Sequence, residues 1–229
     1  MITSKEIKNK IQSYGADICG IAPVKRFENA PRGFHPCDIL SECKSVAVFA
    51  KRFPKYSISA KSCVSYTHLH HVIFSELDAI ALKTSIFLED KDIINVIIPA
   101  DDPYEYWNDD EKHGKGILSL RHAGYLAGLG VLGKNTLLIN NNFGNMILLC
   151  AILIGVALDG DPLAEYSGCL ENCRKCIDNC PVNALNGLTV IQKQCRKHGM
   201  VITGNGTYLK KCSLCRENCP SFSGIVNEK

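Results

Sequence analysis

The sequence predicts a mixed α/β (α+β) fold in two parts, a helix-covered sheet over residues 1–160 and a small cysteine-rich domain over 161–229. Three observations carry that prediction. Helix-period and strand-length apolar runs alternate through the first part, in the order helix, strand, strand, helix, strand. The 229 residues are 46% hydrophobic and 21% charged, with a mean hydropathy of 0.00. That composition suits a core domain with an appendix and excludes disorder, collagen-like fibres and simple coiled coils. Finally, eight of 13 cysteines fall between Cys169 and Cys219, and after Asp159-Gly-Asp-Pro162 the composition shifts to Cys, Asn, Lys and Gly.

The elements follow in order. Thr3-Ser-Lys-Glu6 is a capping box opening a helix with Ile7, Ile11 and Tyr14 on one face and Gly15 as its stop. A polar-faced helix at this place is not a secretory leader, and the longest apolar run, 146–158, is shorter than a bilayer span. A cytoplasmic protein with reduced thiols and no membrane partner is expected. The runs 16–22, 45–50 and 93–98 read as strands. Leu69, Val72, Ile73, Leu77, Ile80, Ala81, Thr84 and Leu88 keep helical spacing between the last two. The stretch 101–116 is a long polar and aromatic loop holding the single tryptophan. It is expected to wall a ligand pocket and set substrate choice; the competing expectation is that Trp107 plugs the core. Residues 118–127 read as a helix, 136–140 as a strand and 146–158 as a buried strand breaking near Gly155.

The cysteines carry the chemistry. Cys173-x2-Cys176-x3-Cys180-Pro181 is repeated as Cys212-x2-Cys215-x3-Cys219-Pro220. In the bacterial ferredoxin arrangement, closely spaced thiolates hold one iron–sulfur cluster while the last cysteine before proline crosses to the other. The expected ligands of cluster A are therefore Cys169, Cys173, Cys176 and Cys219, and those of cluster B are Cys195, Cys212, Cys215 and Cys180, giving two 4Fe–4S clusters. The three-residue gap between Cys169 and Cys173 departs from the usual two. Two structural zinc sites are the competing reading, because CxxC pairs also bind zinc. Cys19, Cys37, Cys43, Cys63 and Cys150 lack ligand spacing and read as buried or incidental thiols. Residues 169–229 carry nine Lys/Arg against four acids. That surplus offsets the negative charge of two clusters, which argues against a nucleic-acid partner.

Gly128-Leu-Gly130-Val-Leu-Gly133-Lys134-Asn135 matches both GxGxxG and, except at Asn135, the Walker pattern. Both nucleotide motifs need a strand before the glycines and a helix after, and the order here is reversed. A close-packing glycine turn is the plainer reading.

Arg121 to Leu138, RHAGYLAGLGVLGKNTLL, followed by the CxxCxxxCP pair, resembles the epoxyqueuosine reductase family and its relatives among the corrinoid iron–sulfur reductases, which include reductive dehalogenases. The resemblance implies a nitroreductase-like domain that holds cobalamin beside a ferredoxin-like domain with two 4Fe–4S clusters. It implies that Arg121, Gly128, Gly130, Gly133, Lys134 and Asn135 help form the cofactor pocket. Two departures limit it. The family's acid would fall at Gly114, so His113 becomes the candidate catalytic residue, with Asp109, Asp110 and Glu111 as substitutes. Nine residues follow Pro220, so the chain reads as a short form lacking the repeats with which longer relatives grip tRNA.

The expected activity is an oxidoreductase passing electrons from a donor such as a ferredoxin or flavodoxin, through the clusters and cobalamin, to a small substrate. The alternatives are a two-cluster electron carrier with no organic cofactor, distinguished by the lack of a pocket facing cluster A, and a flavin enzyme on the same fold.

Overall fold

The computed structural model describes residues 2–225. In chain order the elements are α1 (Ser4–Ser13), β1 (Ile18–Pro23), α2 (Pro36–Ile39), β2 (Ser45–Arg52), α3 (Cys63–Glu89), β3 (Asn95–Ile98), β4 (Tyr106–Asn108) and β5 (His113–Lys115). There follow α4 (Leu120–Leu126), β6 (Val131–Leu132), β7 (Leu138–Ile139), β8 (Ile147–Ile154), α5 (Lys175–Asp178), α6 (Gln192–Gly199), β9 (Met200–Ile202), β10 (Tyr208–Lys210) and α7 (Leu214–Glu217).

A four-stranded sheet in the order β1-β2-β8-β3 is antiparallel at every pairing, so the architecture is α+β. Its middle strands are buried on both faces, which is why β8 reads as an unbroken apolar run. The pleat divides their side chains between two cores. Ala47 and Phe49 of β2 with Cys150, Ile152 and Ile154 of β8 face Ile7 and Ile11 of α1 and Ile73, Leu77, Ile80 and Leu88 of α3. Val46, Val48, Ala50, Leu149, Ala151 and Leu153 face Ala123 and Ala127 at α4.

Local signals explain the ends. Thr3 caps α1 by accepting from the Glu6 amide at 3.2 Å. Gly155 closes β8, where an added Cβ would lie 2.2 Å from Ile94. Gly128 ends α4 at φ +75, and its Cβ would meet the Pro162 carbonyl oxygen at 2.1 Å. The stretch 101–116 is not an open loop: β4 and β5 pair as a hairpin, Trp107 opposite Gly114. Trp107 is 44% exposed, so it does not plug the core. Among the described residues, no helix is long and apolar enough to cross a membrane.

Candidate functional site

The two CxxCxxxCP copies fold alike. Each forms a one-turn helix, α5 and α7, fixed by matching hydrogen bonds. Ile177 and Asp178 amides donate to Arg174 O at 2.8 and 2.9 Å, and Arg216 and Glu217 amides to Ser213 O at 2.8 and 3.0 Å. Proline follows each final cysteine and, lacking an N–H, ends the turn.

The eight cysteines assemble in two groups. Cys169, Cys173, Cys176 and Cys219 line one narrow cavity with Lys134 and Asn135. Burial, then the neighbouring sulfurs of Cys169, Cys219, Cys215 and Cys173, push the Cys176 thiol up to about 11. Burial also raises Cys215 to about 11, with Cys195, Cys212 and Cys180 adding to the rise and Arg216 opposing it. Cys195, the exposed member of the eight, is raised by burial of its thiol and by Cys212 and Cys180. The cavity set thus joins three sulfurs of the first stretch to Cys219 of the other motif.

Thiolate is the form that binds metal, and clustered cysteines at this spacing form a donor set that fits a thiolate-bound metal cluster. Among the described residues, no three His, Cys, Asp or Glu side chains gather at the spacing of a single ion. Of the other cysteines, Cys43 and Cys150 are buried and Cys19, Cys37 and Cys63 half-buried. Burial pushes the Cys19 and Cys150 thiols far up and the Cys43 thiol to about 11.

The turn between β6 and β7 ties the sheet domain to this cysteine region. Lys134 reaches it twice, its amide 3.4 Å from Cys169 Sγ and its Nζ donating to Cys173 O at 2.9 Å. Buried Asn135 donates from Nδ2 to Cys215 O at 3.2 Å and accepts from the Leu137 amide at 3.1 Å. The turn therefore braces the cysteine loops rather than cradling a phosphate.

Beside it opens a cleft of about 630 Å³, within the range of ligand pockets. Lys134, Gly168 and Cys169 line both this cleft and the cavity of the first cysteine group. Arg121 and Gly133 also line it, with Arg121 Nη1 held by Thr136 O at 2.8 Å. Leu132, 39% exposed, and Leu188, 92% exposed, leave apolar surface open at its walls. Apolar walls with two convergent cations suit a large, flat, amphipathic cofactor. Gly128 and Gly130 are not among the lining residues. A Cβ on Gly130 would meet Ile139 O at 2.3 Å, so these glycines serve close backbone packing.

His113 and the β4–β5 hairpin are likewise not among the residues lining the cleft. The His113 ring stands edge-on to Tyr106 at 6.1 Å. The hairpin docks on α6: Gly114 exchanges two 3.1 Å hydrogen bonds with the Gln192 amide, Glu111 meets Lys193 at 2.6 Å, and Arg196 stacks 4.8 Å over Trp107. A side chain at Gly114 would lie 3.0 Å from Trp107 and 3.3 Å from Tyr104, so the position of the missing acid is filled by aromatic rings. Sequence reasoning missed His122, a cleft residue whose Nδ1 is 2.7 Å from Ser119 Oγ. Its signal, three residues from Ser119 at the start of α4, is too common to stand out.

The fold is similar to those of solved epoxyqueuosine reductases and reductive dehalogenases. A Streptococcus thermophilus epoxyqueuosine reductase superposes with a TM-score of 0.67 at 16% identity, covering 100% of this chain and 69% of its own. A reductive dehalogenase described as acting by B12-dependent dehalogenation gives 0.67 at 18% identity, over 94% of this chain and 31% of its own. In sequence, the chain is similar to the epoxyqueuosine reductases, as its glycine segment and cysteine motifs predict. The protein of Leadbetterella byssophila is 26% identical over 95% of this chain and 79% of its own length. That of Staphylococcus aureus is 31% identical over 125 residues, a match to 50% of this chain that spans only 32% of the relative. Another epoxyqueuosine reductase was solved with an epoxyqueuosine-modified tRNA-Tyr stem loop. No family profile matches the chain.

Proposed function

We propose that this chain is an iron–sulfur oxidoreductase, epoxyqueuosine reductase-like, that carries electrons through two 4Fe–4S clusters to a corrinoid and substrate in the cleft beside Lys134. A nitroreductase-like domain over 1–160 and a ferredoxin-like domain over 161–229 that holds the clusters both line the cleft. One observation carries the reading: the cleft shares Lys134, Gly168 and Cys169 with the cavity of the first cysteine group. A carrier without an organic cofactor has no use for an open, apolar-walled space at that point.

Cluster A takes Cys169, Cys173, Cys176 and Cys219, and cluster B takes Cys195, Cys212, Cys215 and Cys180. Each passes one electron at a time, at a potential set by hydrogen bonds and burial. A bound cobalamin supplies low-potential, nucleophilic metal chemistry, so few side chains need react. Arg121 and Lys134 hold anionic or carbonyl groups of the ligands at the cleft, and Leu132 and Leu188 cover apolar surface. Proton delivery falls to His122 rather than His113: His122 lines the cleft, and its Nδ1 is paired with Ser119 Oγ at 2.7 Å. The substrate is a small molecule or, by likeness to the relative bound to its tRNA stem loop, a modified tRNA.

The test is metal and cofactor analysis of anaerobically prepared protein. Eight irons per chain, with corrinoid absorbance bands appearing on addition of cobalamin, support the reading. Eight irons with no corrinoid bound make the chain an electron carrier, and bound flavin makes it a flavin enzyme.

A further inference from the structure

Arg216 follows Cys215 directly and stands three residues before Cys219, with only 8% of its surface exposed. Guanidinium stays charged, and burying it without a counter-charge is costly. Among the described residues, no carboxylate lies within ion-pair distance of Arg216. Its hydrogen bonds go to neutral groups. Nη1 donates to the Asn145 carbonyl, and Met146 Sδ is 4.0 Å away.

Further cations converge on the same volume. Arg121 and Lys210 are each held below their ordinary pKa first by burial, and each also feels Arg216. Lys210 additionally feels Arg196, against Asp101 and Asp102 on the other side. Asp101 meets Lys210 at 3.9 Å and leaves Arg216 unmatched. A buried guanidinium with no carboxylate partner, one residue from Cys215, is placed for an anion held by the thiols of the second group. An oxidised four-iron cluster with four thiolates carries about −2.

We propose that Arg216 is the built-in counter-charge of cluster B and raises its reduction potential relative to cluster A. The inference rests on the two-cluster reading above. Its competitor is a mechanical role, since Asn145 Nδ2 also donates to Arg216 O at 3.2 Å and the pair locks α7 to the turn before β8.

Three forms separate the two roles: wild type, R216M and R216K. Without iron, R216M melts higher than wild type, because an uncompensated buried charge is replaced by an apolar chain of similar length. With iron, potentiometric titration followed by EPR, cluster B being the signal lost in C195A, gives at least a tenfold rise in its oxidised-to-reduced ratio at fixed potential. That is about 59 mV for one electron. Cluster A moves less, and R216K stays near wild type in potential. An R216M apoprotein that melts lower than wild type, or a holoprotein with eight irons and unmoved potentials, assigns Arg216 the mechanical role and overturns the proposal. Wild-type protein that takes up no iron overturns the two-cluster reading itself, and with it the counter-charge.

Discussion

Gly114→Ala tests the reading of the β4–β5 hairpin as a latch on the cluster region. An added Cβ would lie 3.0 and 3.2 Å from two Trp107 ring atoms and 3.3 Å from Tyr104, so the rings must retreat by a few tenths of an ångström. Trp107 is pinned from above by Arg196 at 4.8 Å, and the Gly114 backbone from below by Gln192. Retreat therefore loosens an exposed cation–π contact of about 0.5–1 kcal/mol and strains two hydrogen bonds of about 0.5–1.5 kcal/mol each. We expect hairpin docking to weaken by about 1–3 kcal/mol, as for a modest overpacking, with the two main cores untouched. The chain has one tryptophan, so its fluorescence reports this contact directly. The emission shifts, amide exchange of 106–115 accelerates, and global melting moves little. In W107A the two closest ring atoms are gone and only Tyr104 at 3.3 Å remains, so G114A/W107A costs little more than W107A. A G114A protein with unchanged fluorescence and exchange, or a full cost in the double variant, refutes the latch.

The other predictions concern ligands, packing and pH. C180A should spoil the cluster of Cys195, Cys212 and Cys215, and C219A that of Cys169, Cys173 and Cys176; spectra assigning each loss to the motif that contains the mutated cysteine would end the crossing assignment. C150A should lower stability modestly while iron stays at about eight, the complement of two four-iron clusters; loss of four irons would make Cys150 a ligand. His70 is buried among Phe53, Tyr66 and Phe74, with neither ring nitrogen bonded. Burial first, then Lys210 and Arg216, hold its pKa down near about 2. The unfolded chain therefore binds a proton at His70 that the folded chain refuses, and this contribution is full above pH 6.5 and lost as pH falls. The loss is about 2 kcal/mol between pH 6.5 and 5. H70F should flatten that part of the stability profile, and an unchanged slope in urea titrations would contradict it.

Much of this protein is legible along the chain because the physics is local. A capping threonine, a 3.6-residue period and β-branched runs fixed α1, α3, β1, β2 and β3 to within a few residues. The cysteine spacing is local, which is why the two motifs could be read directly, while their one-turn helices emerged only in the structure. The glycine segment was legible as chemistry but not as placement. Lys134 and Asn135 reach the cysteine loops, and Gly128 and Gly130 pack on Pro162 and Ile139, because of contacts between residues far apart in sequence.

Tertiary structure alone decided the rest. The stretch 101–116 reads as a polar loop because its hairpin is held by Gln192, Lys193 and Arg196, some 80 residues away (78 to Gln192), which no local periodicity encodes. Docking there carried His113 out of the cleft lining, while an unremarkable helix placed His122 within it. Sequence determined which side chains could bear the chemistry. The packing of distant segments decided which of them share a cavity, because burial and electrostatic proximity are properties of the folded surface and not of spacing along the chain.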